Sequence, residues 1–335
     1  MAEENGLYSL SPADRNLISR HGGILTNPAK IRLIKSDDDA GVQLDAFCTQ
    51  LKQLIPEISV KNETAADDEP SGIHVSENLH FRMVPRGEYL EMFLLSLFGS
   101  DTLAGQEMDV DVNGLEQRIS LPAIFGMYVT ENCPFCRITV PKGLFLAGAA
   151  PSRIDMTIID AMMFPALAEQ DRIRSAPTTI MDGMFRWSGD FDLEEVIETL
   201  SSRDPLKLGY ETVKKMISDG DAEGVADLMA RFNEVIPAYI DLLVAEKWPE
   251  RLGAMVAFEY LTEKNRGVAR QVIDILWSRF DVLEQAIMGD VLHLVGVFDQ
   301  PEDQSPRLQA VISGNYPDSV KKVATEILHQ NGGRP

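Results

Sequence analysis

Two of the chain's three cysteines lie close together in TENCPFCRITVP (130–141), where Cys133 and Cys136 flank a Pro-Phe pair. Thiols at this spacing can exchange disulfides, supply half of a metal site, or simply be neighbours. A helix that begins near Cys133 would place that sulfur over unpaired backbone N–H groups and the positive end of the helix dipole, which acidifies a thiol. Cys136, one turn further on, could then resolve a mixed disulfide. The motif therefore predicts a redox dithiol.

The metal interpretation has less support, because a tetrahedral zinc site needs four ligands. The sequence has no second Cys-x-x-Cys pair, its five histidines are scattered, and only Cys48 remains as a further thiol. Cys48 shares a predicted helical face with several leucines, so we expect a buried apolar side chain there. Half a metal or cluster site, or two inert thiols, remain the alternatives to the dithiol, and no metal is predicted.

Composition limits the partners and the compartment. The 335 residues carry 31 basic and 52 acidic side chains, a net charge of -21. This charge disfavours nucleic acid and membrane surfaces as partners. The start, MAEENGLYSL, lacks the basic region and apolar run of a secretory signal. We therefore expect a cytoplasmic protein, in which a disulfide is more often catalytic than structural.

Hydrophobic patterns predict an α/β arrangement twice over in the first 203 residues. The first copy reads β, α, β, β, β, α, with a polar segment, TAADDEPSG, in place of a second helix. The second copy begins with the strand AIFGMYV and contains a hairpin whose Asp182-Gly183 pair suits a type I′ turn. Its predicted elements are the strands 123–129 and 153–159, helices at CPFC, 162–173 and 192–200, and the hairpin 177–187.

After Asp204-Pro205, a helix-opening pair, the strand patterns stop. Three predicted hairpins of amphipathic helices follow, with turns at Pro249, Asp281 and Pro317, that is 32 and 36 residues apart. Such spacing is typical of helical repeats that bury a face only by stacking. We predict a short α-solenoid, whose apolar stripes include Val256 and Phe258.

The residues of the second copy resemble the thioredoxin superfamily. CPFCRITVP has the superfamily's Cys-x-x-Cys, the basic residue after it and the proline five positions further on, and RSAPTTIMDG resembles its cis-proline loop. The resemblance implies that Cys133 attacks and Cys136 resolves. It also implies that Pro177 is cis and faces the sulfurs, and that the backbone at Ala176 pairs with a substrate peptide. Pro134 and Phe135 would form the rim that contacts the substrate.

The tandem order resembles the N-terminal region of the flavoprotein component of alkyl hydroperoxide reductase and the archaeal-type protein disulfide oxidoreductases, and the last 130 residues resemble HEAT-type repeats. The predicted domains are a thioredoxin-like fold without active-site cysteines (1–105), a thioredoxin-like fold with the CPFC site (106–203) and an α-helical domain (204–335). The flavin and nicotinamide domains of the reductase are absent, so we expect no bound cofactor and an external electron donor, such as a thioredoxin reductase system. Met127 replaces the buried aspartate of thioredoxins, so that proton removal from Cys136 would need water or a carboxylate such as Glu131.

These inferences predict a cytoplasmic thiol–disulfide oxidoreductase that acts on protein disulfides, with a peroxiredoxin-type protein as a candidate partner. The alternative is an interaction or redox-sensing adaptor in which the helical repeats bind a client and the thioredoxin-like folds are mainly structural.

Overall fold

The computed structural model describes residues 9–22, 29–66, 69–99, 102, 108, 110, 114–298 and 301–331. The chain forms two compact units, Met1–Ser202 and Arg203–Pro335. The predicted boundary at 105/106 lies outside the described residues, and the predicted start of the helical domain at 204 lies beside the division between the two units.

An eight-stranded sheet forms the centre of the first unit, in the order β2-β1-β3-β4-β6-β5-β7-β8. Its strands are β1 Lys30–Lys35, β2 Ser59–Thr64, β3 Gly72–His74, β4 Leu79–Arg82, β5 Ala123–Val129, β6 Ile154–Asp160, β7 Thr178–Met181 and β8 Phe185–Ser188. The helices whose bounds lie within the described residues of this unit are α1 Pro12–Gly22, α2 Asp39–Leu54, α3 Gly87–Ser96, α4 Leu115–Arg118, α5 Cys136–Ala149, α6 Pro165–Gln170 and α7 Leu193–Ser202.

The two halves of this sheet repeat one topology. In the first half β1 is parallel to β2 and antiparallel to β3, which is antiparallel to β4. In the second half β5 has the same relations to β6 and β7, and β7 is antiparallel to β8. This is the thioredoxin-like arrangement, present twice, and it confirms the predicted fold class of the unit. The parallel pairing of β4 with β6 joins both halves into one sheet, which the sequence did not indicate.

Local chemistry explains the boundaries that were predicted well. Asp182 and Gly183 both have positive φ, 55° and 71°, as the type I′ turn between β7 and β8 requires. The side chain of Asp38 accepts a hydrogen bond from the Gly41 N–H at 2.6 Å and caps α2. No helix is found among the described residues between β2 and β3, in agreement with the polar segment there.

Cys48 lies in the core of the first half, with its thiol free and 2% of its surface exposed. Burial raises the pKa of this thiol to about 12, and the nearby charge of Asp45 acts in the same direction. The prediction of a buried apolar side chain is confirmed. A thiol with so high a pKa is a poor nucleophile at neutral pH.

The second unit is helical throughout its described residues. Its α-helices are α8 Tyr210–Ser218, α9 Ala222–Phe232, α10 Pro237–Leu243, α11 Trp248–Lys264, α12 Arg266–Arg279, α13 Gln285–Val297, α14 Pro301–Ser313 and α15 Asp318–Asn331, and short 3-10 helices lie at Pro205–Lys207 and Phe280–Val282. Helices two apart in sequence pack together: α9 on α11, α11 on α13 and α13 on α15, with α8 on α10 and α10 on α12 beside them. Consecutive helices pack as well, among them α14 on α15 and α10 on α11, so that helical pairs stack on one another as in an array of hairpins.

Two details of the helical prediction need correction. Pro249 was predicted as a turn residue, but it lies in the first turn of α11, where a proline loses no hydrogen bond. The pair α8 and α9 was not among the predicted hairpins. Asp204 behaves as expected, since its side chain accepts a hydrogen bond from the Leu206 N–H at 3.0 Å.

No helix in the described ranges is long and apolar enough to cross a membrane.

Candidate functional site

A disulfide between Cys133 and Cys136 marks the start of α5 in the second half of the sheet. The helix begins at Cys136, with Phe135 as its N-cap, so Cys133 lies three residues before the first helical residue. The Cys133 sulfur still accepts a hydrogen bond from the Cys136 N–H at 3.1 Å. A sulfur that faces a free N–H group at a helix N-terminus is stabilised as a thiolate once the disulfide is reduced.

The two sulfurs differ in accessibility, as predicted. Cys136 is fully buried, with 0% of its surface exposed, whereas Cys133 is half-buried. Phe135, between them, is 59% exposed, and Pro134 is also exposed. Cys133 is therefore the more accessible cysteine of the pair, and it lies next to an exposed apolar rim.

The cis-proline loop lies directly opposite Cys133. The Ala176–Pro177 peptide bond is cis, in agreement with the expectation from the sequence. The Cys133 sulfur lies 3.3 Å from the carbonyl oxygen of Ala176. Ala176 is half-buried and Pro177 is buried. The structure thus brings Cys133, Cys136 and the Ala176-Pro177 pair together around one sulfur, while their roles in binding and catalysis stay predictions.

A bridge of hydrogen bonds, missed by sequence reasoning, connects the cis-proline loop to α5. We name it the Asp190 bridge. The Gly189 N–H donates to the Pro177 carbonyl at 2.8 Å. The Asp190 carboxylate accepts from the buried Thr139 hydroxyl at 3.0 Å and from the Lys142 ammonium at 2.7 Å. Thr139 lies one turn after Cys136 on the same helix, so this loop ties together both walls of the site.

The carboxylates near the site are arranged differently from the sequence expectation. Met127 is fully buried, as the position implied. Glu131, the suggested proton acceptor, has 61% of its side chain exposed and lies 4.0 Å from the guanidinium of Arg86. The carboxylate that hydrogen-bonds to the buried side of α5 is Asp190. No spacing in the sequence marks it, because the contact spans 51 residues.

The first half supports the loop that carries Cys133. The Tyr89 hydroxyl on α3 donates to the Thr130 carbonyl at 2.9 Å, and Glu88 of the same helix lies 3.7 Å from Arg137. Burial, with the charges of Asp160 and Glu88 adding to it, raises the pKa of Tyr89 to about 12, so the hydroxyl keeps its proton for this bond at neutral pH.

The position that matches the dithiol in the first half is closed by polar contacts. The fully buried Ser71, at the place of Pro177 in the repeated topology, accepts a hydrogen bond from the Ser36 N–H at 2.9 Å. Its hydroxyl lies 2.6 Å from the Ser36 hydroxyl and donates to Asp38 at 3.5 Å. These side chains take the place that the Cys-x-x-Cys loop holds in the second half.

The fold and this site define a tandem thioredoxin-like unit with one disulfide, in its second half. No protein-family model and no curated protein matches the sequence. Among solved structures, the chain is similar to the alkylhydroperoxide reductase AhpF of Enterococcus faecalis, with 19% identity, a TM-score of 0.45, and coverage of 57% of this chain and 99% of that chain.

Two further solved structures are similar to the chain. The NTD_N/C domain of the same Enterococcus faecalis protein shares 20% identity, with a TM-score of 0.45 and coverage of 57% of this chain and 100% of that chain. A protein disulfide oxidoreductase from Aeropyrum pernix shares 15% identity, with a TM-score of 0.46 and coverage of 58% of this chain and 94% of that chain.

Proposed function

We propose that this protein is a thiol–disulfide oxidoreductase that exchanges disulfides with protein clients through Cys133 and Cys136. The observation that carries the proposal is the environment of the Cys133 sulfur. It is half-buried, accepts the Cys136 N–H at 3.1 Å and faces the carbonyl before a cis-proline at 3.3 Å, with its fully buried partner sulfur behind it.

The reaction begins from the reduced dithiol. The Cys133 thiolate attacks one sulfur of a client disulfide, that S–S bond breaks, and the second client sulfur leaves as a thiolate that takes up a proton. The Cys136 thiol then loses its proton to water or a carboxylate and attacks Cys133, which releases the client's first sulfur. The client gains two electrons, and the dithiol becomes the disulfide seen in the structure.

The client would dock on the surface around Cys133. Phe135 and Pro134 supply an exposed apolar rim. The backbone of Ala176 would pair with the client chain as an added strand. We propose protein disulfides as the substrate class, with a peroxiredoxin-type protein as a candidate client.

An external electron donor, such as a thioredoxin reductase system, would regenerate the dithiol, since the chain's motifs include no dinucleotide-binding fingerprint. We place this exchange in the cytoplasm, with no nucleic-acid or membrane partner, in keeping with the net charge of -21.

A second candidate function is an adaptor, in which the helical repeats bind a client and the thioredoxin-like halves are structural or sense redox state. Two observations favour it: the polar network at Ser71 takes the position of the dithiol in the first half, and α11 exposes several large apolar side chains.

Turnover of insulin disulfides, and of peroxide through an added peroxiredoxin, separates the two functions. The proposal expects wild-type turnover that Cys133→Ser and Cys136→Ser each abolish. Cys48→Ser is the matched control, because this thiol is buried and separate from the site, and it should retain turnover. An inactive wild-type protein would favour the adaptor, and full activity of Cys133→Ser would exclude the dithiol mechanism.

A further inference from the structure

One face of α11 carries an exposed apolar stripe. Trp248, Leu252, Val256 and Tyr260 recur at every fourth position, and they are 48%, 46%, 38% and 37% exposed. Twelve residues of helix span about 18 Å. The opposite side of the same helix is buried against its neighbours. The stripe is therefore a second apolar face, and the prediction that Val256 belongs to the packed face is wrong.

The N-terminal end of the stripe is held rigidly. The guanidinium of Arg251, itself 5% exposed, stacks on the Trp248 ring at 5.5 Å from its centroid. Arg251 is fixed by Asp290 at 2.8 Å and by the carbonyls of Ala245 and Glu246 at 2.6 and 2.7 Å. One side of the indole is thus fixed and the other is open. Binding to such a pre-ordered aromatic side chain loses little conformational entropy.

The polar ends of the two aromatic residues are available to a partner. Among the described residues, neither the Trp248 indole N–H nor the Tyr260 hydroxyl has a hydrogen-bond partner. Tryptophan and tyrosine with an apolar body and an unused polar tip are enriched at protein interfaces.

The rim of the stripe is acidic. Glu259 and Glu263 are exposed on the same helix, and an ion pair is found for neither within the described ranges. Two cations lie close to the stripe, and both are paired: Arg251 with Asp290 at 2.8 Å, and Lys264 with Glu223 at 2.8 Å and Asp227 at 2.6 Å. The rim therefore favours a basic partner and repels another acidic surface, including a second copy of this chain with its charge of -21.

We propose that the Trp248–Tyr260 face of α11 binds a basic amphipathic helix of a partner protein. Residues spaced by four form a ridge along a helix, and such a ridge packs into the groove of a second helix laid beside it. The partner helix presents apolar side chains three or four residues apart to the stripe, and its flanking lysines or arginines meet Glu259 and Glu263. The inference names the client-binding surface of the adaptor hypothesis, but it does not depend on dithiol chemistry.

The test uses the full-length protein and a fluorescein-labelled helical peptide of about 18 residues, long enough to cover the stripe, with leucines every three or four positions and lysines on both flanks. A second peptide carries glutamate at each lysine position. Fluorescence anisotropy should show the basic peptide binding at least tenfold more tightly than the acidic one. Glu259→Gln with Glu263→Gln should weaken the basic peptide and flatten its dependence on salt.

Variants of the stripe locate the binding face. Leu252→Ser and Tyr260→Ser, both at exposed positions that should leave the fold intact, should each weaken the basic peptide at least tenfold. Val282→Ser is the matched control, because Val282 is 86% exposed but lies outside the stripe. It should bind within twofold of wild type.

Three results would overturn the proposal: no binding of the basic peptide, equal binding of both peptides, or binding unaffected by either serine variant. A sedimentation measurement on the protein without peptide can give a fourth result against the proposal. A dimer that Leu252→Ser dissociates would show that a second copy covers the stripe. If the wild-type protein bound the basic peptide but did not turn over disulfides, the proposed oxidoreductase function would be refuted and the peptide-binding proposal would stand.

Discussion

Removal of the Asp190 carboxylate should loosen both walls of the dithiol site. In Asp190→Ala, the Lys142 ammonium loses a partner at 2.7 Å but keeps the Phe191 carbonyl at 2.7 Å. The Thr139 hydroxyl loses its acceptor at 3.0 Å but can still donate to the Phe135 carbonyl at 3.1 Å. The loss is therefore partial at both groups.

The expected magnitude follows from these contacts. The ion pair is partly exposed, 20% at Lys142 and 38% at Asp190, and is worth up to about 1 kcal/mol. The hydrogen bond from Thr139 to a carboxylate contributes about 1 kcal/mol after the remaining acceptor is allowed for. Asp190→Ala should lower the local unfolding free energy by about 1.5–2 kcal/mol, and Asp190→Asn, which keeps an acceptor, by about 1 kcal/mol.

Hydrogen exchange followed by mass spectrometry measures the local unfolding free energy. Peptides that cover α5 and the segment 176–189 should exchange hydrogen about 10- to 30-fold faster in Asp190→Ala, since about 1.4 kcal/mol corresponds to tenfold in an opening constant. The kcat/KM for a protein disulfide should fall by up to about tenfold, because the cis-proline loop no longer holds its position against Cys133.

Glu194→Gln is the matched control, because it removes an exposed carboxylate four residues away that makes no side-chain bond among the described residues. In Glu194→Gln, the same peptides should exchange hydrogen at the wild-type rate. If hydrogen exchange were unchanged in Asp190→Ala, or accelerated equally in Asp190→Ala and Glu194→Gln, the Asp190 bridge would not stabilise the site as we predict.

Three further predictions concern other parts of the molecule. After mild reduction, iodoacetamide at neutral pH should modify Cys133 first and leave Cys48 unmodified; faster labelling of Cys136, which is 0% exposed, would reverse the assigned order. Deletion of 204–335 should leave reduction of small disulfides nearly intact and lower turnover of a protein client, whereas equal loss on both would indicate a stabilising role only. Desolvation, then the charge of His80, lowers the pKa of His74 to about 3, so the folded state keeps it neutral while the unfolded chain protonates near pH 6.5. The free energy of unfolding should therefore decrease as the pH falls below 6.5, by about 1 kcal/mol at pH 5. In urea titrations at pH 6.5 and pH 5, His74→Gln should show a smaller decrease than the wild-type protein.

Local chemistry made much of the first unit predictable. The strand 123–129 was placed at its observed ends, and the Asp182-Gly183 turn followed from residues that tolerate positive φ. The Cys133 and Cys136 pair was found from spacing alone. These signals lie within a few residues, where sequence patterns carry most of their information.

Contacts between segments far apart in the chain could not be predicted from the sequence. The pairing of β4 with β6 joins strands from two different copies, and no local pattern encodes which edges meet. Asp190 reaches Thr139 only because the hairpin folds back across the sheet. Val256 was assigned to the wrong face because α11 is apolar on two sides, and periodicity cannot tell which side a neighbour covers.

Covalent trapping tests the central claim most directly. Cys136→Ala removes the resolving thiol, so a client disulfide attacked by Cys133 should remain attached as a mixed disulfide. Incubation with an oxidised client, followed by non-reducing electrophoresis and peptide mass spectrometry, should show an adduct at Cys133 that dithiothreitol releases and that Cys133→Ala with Cys136→Ala does not form. Absence of any adduct, or an adduct at Cys48, would contradict the proposed exchange at Cys133.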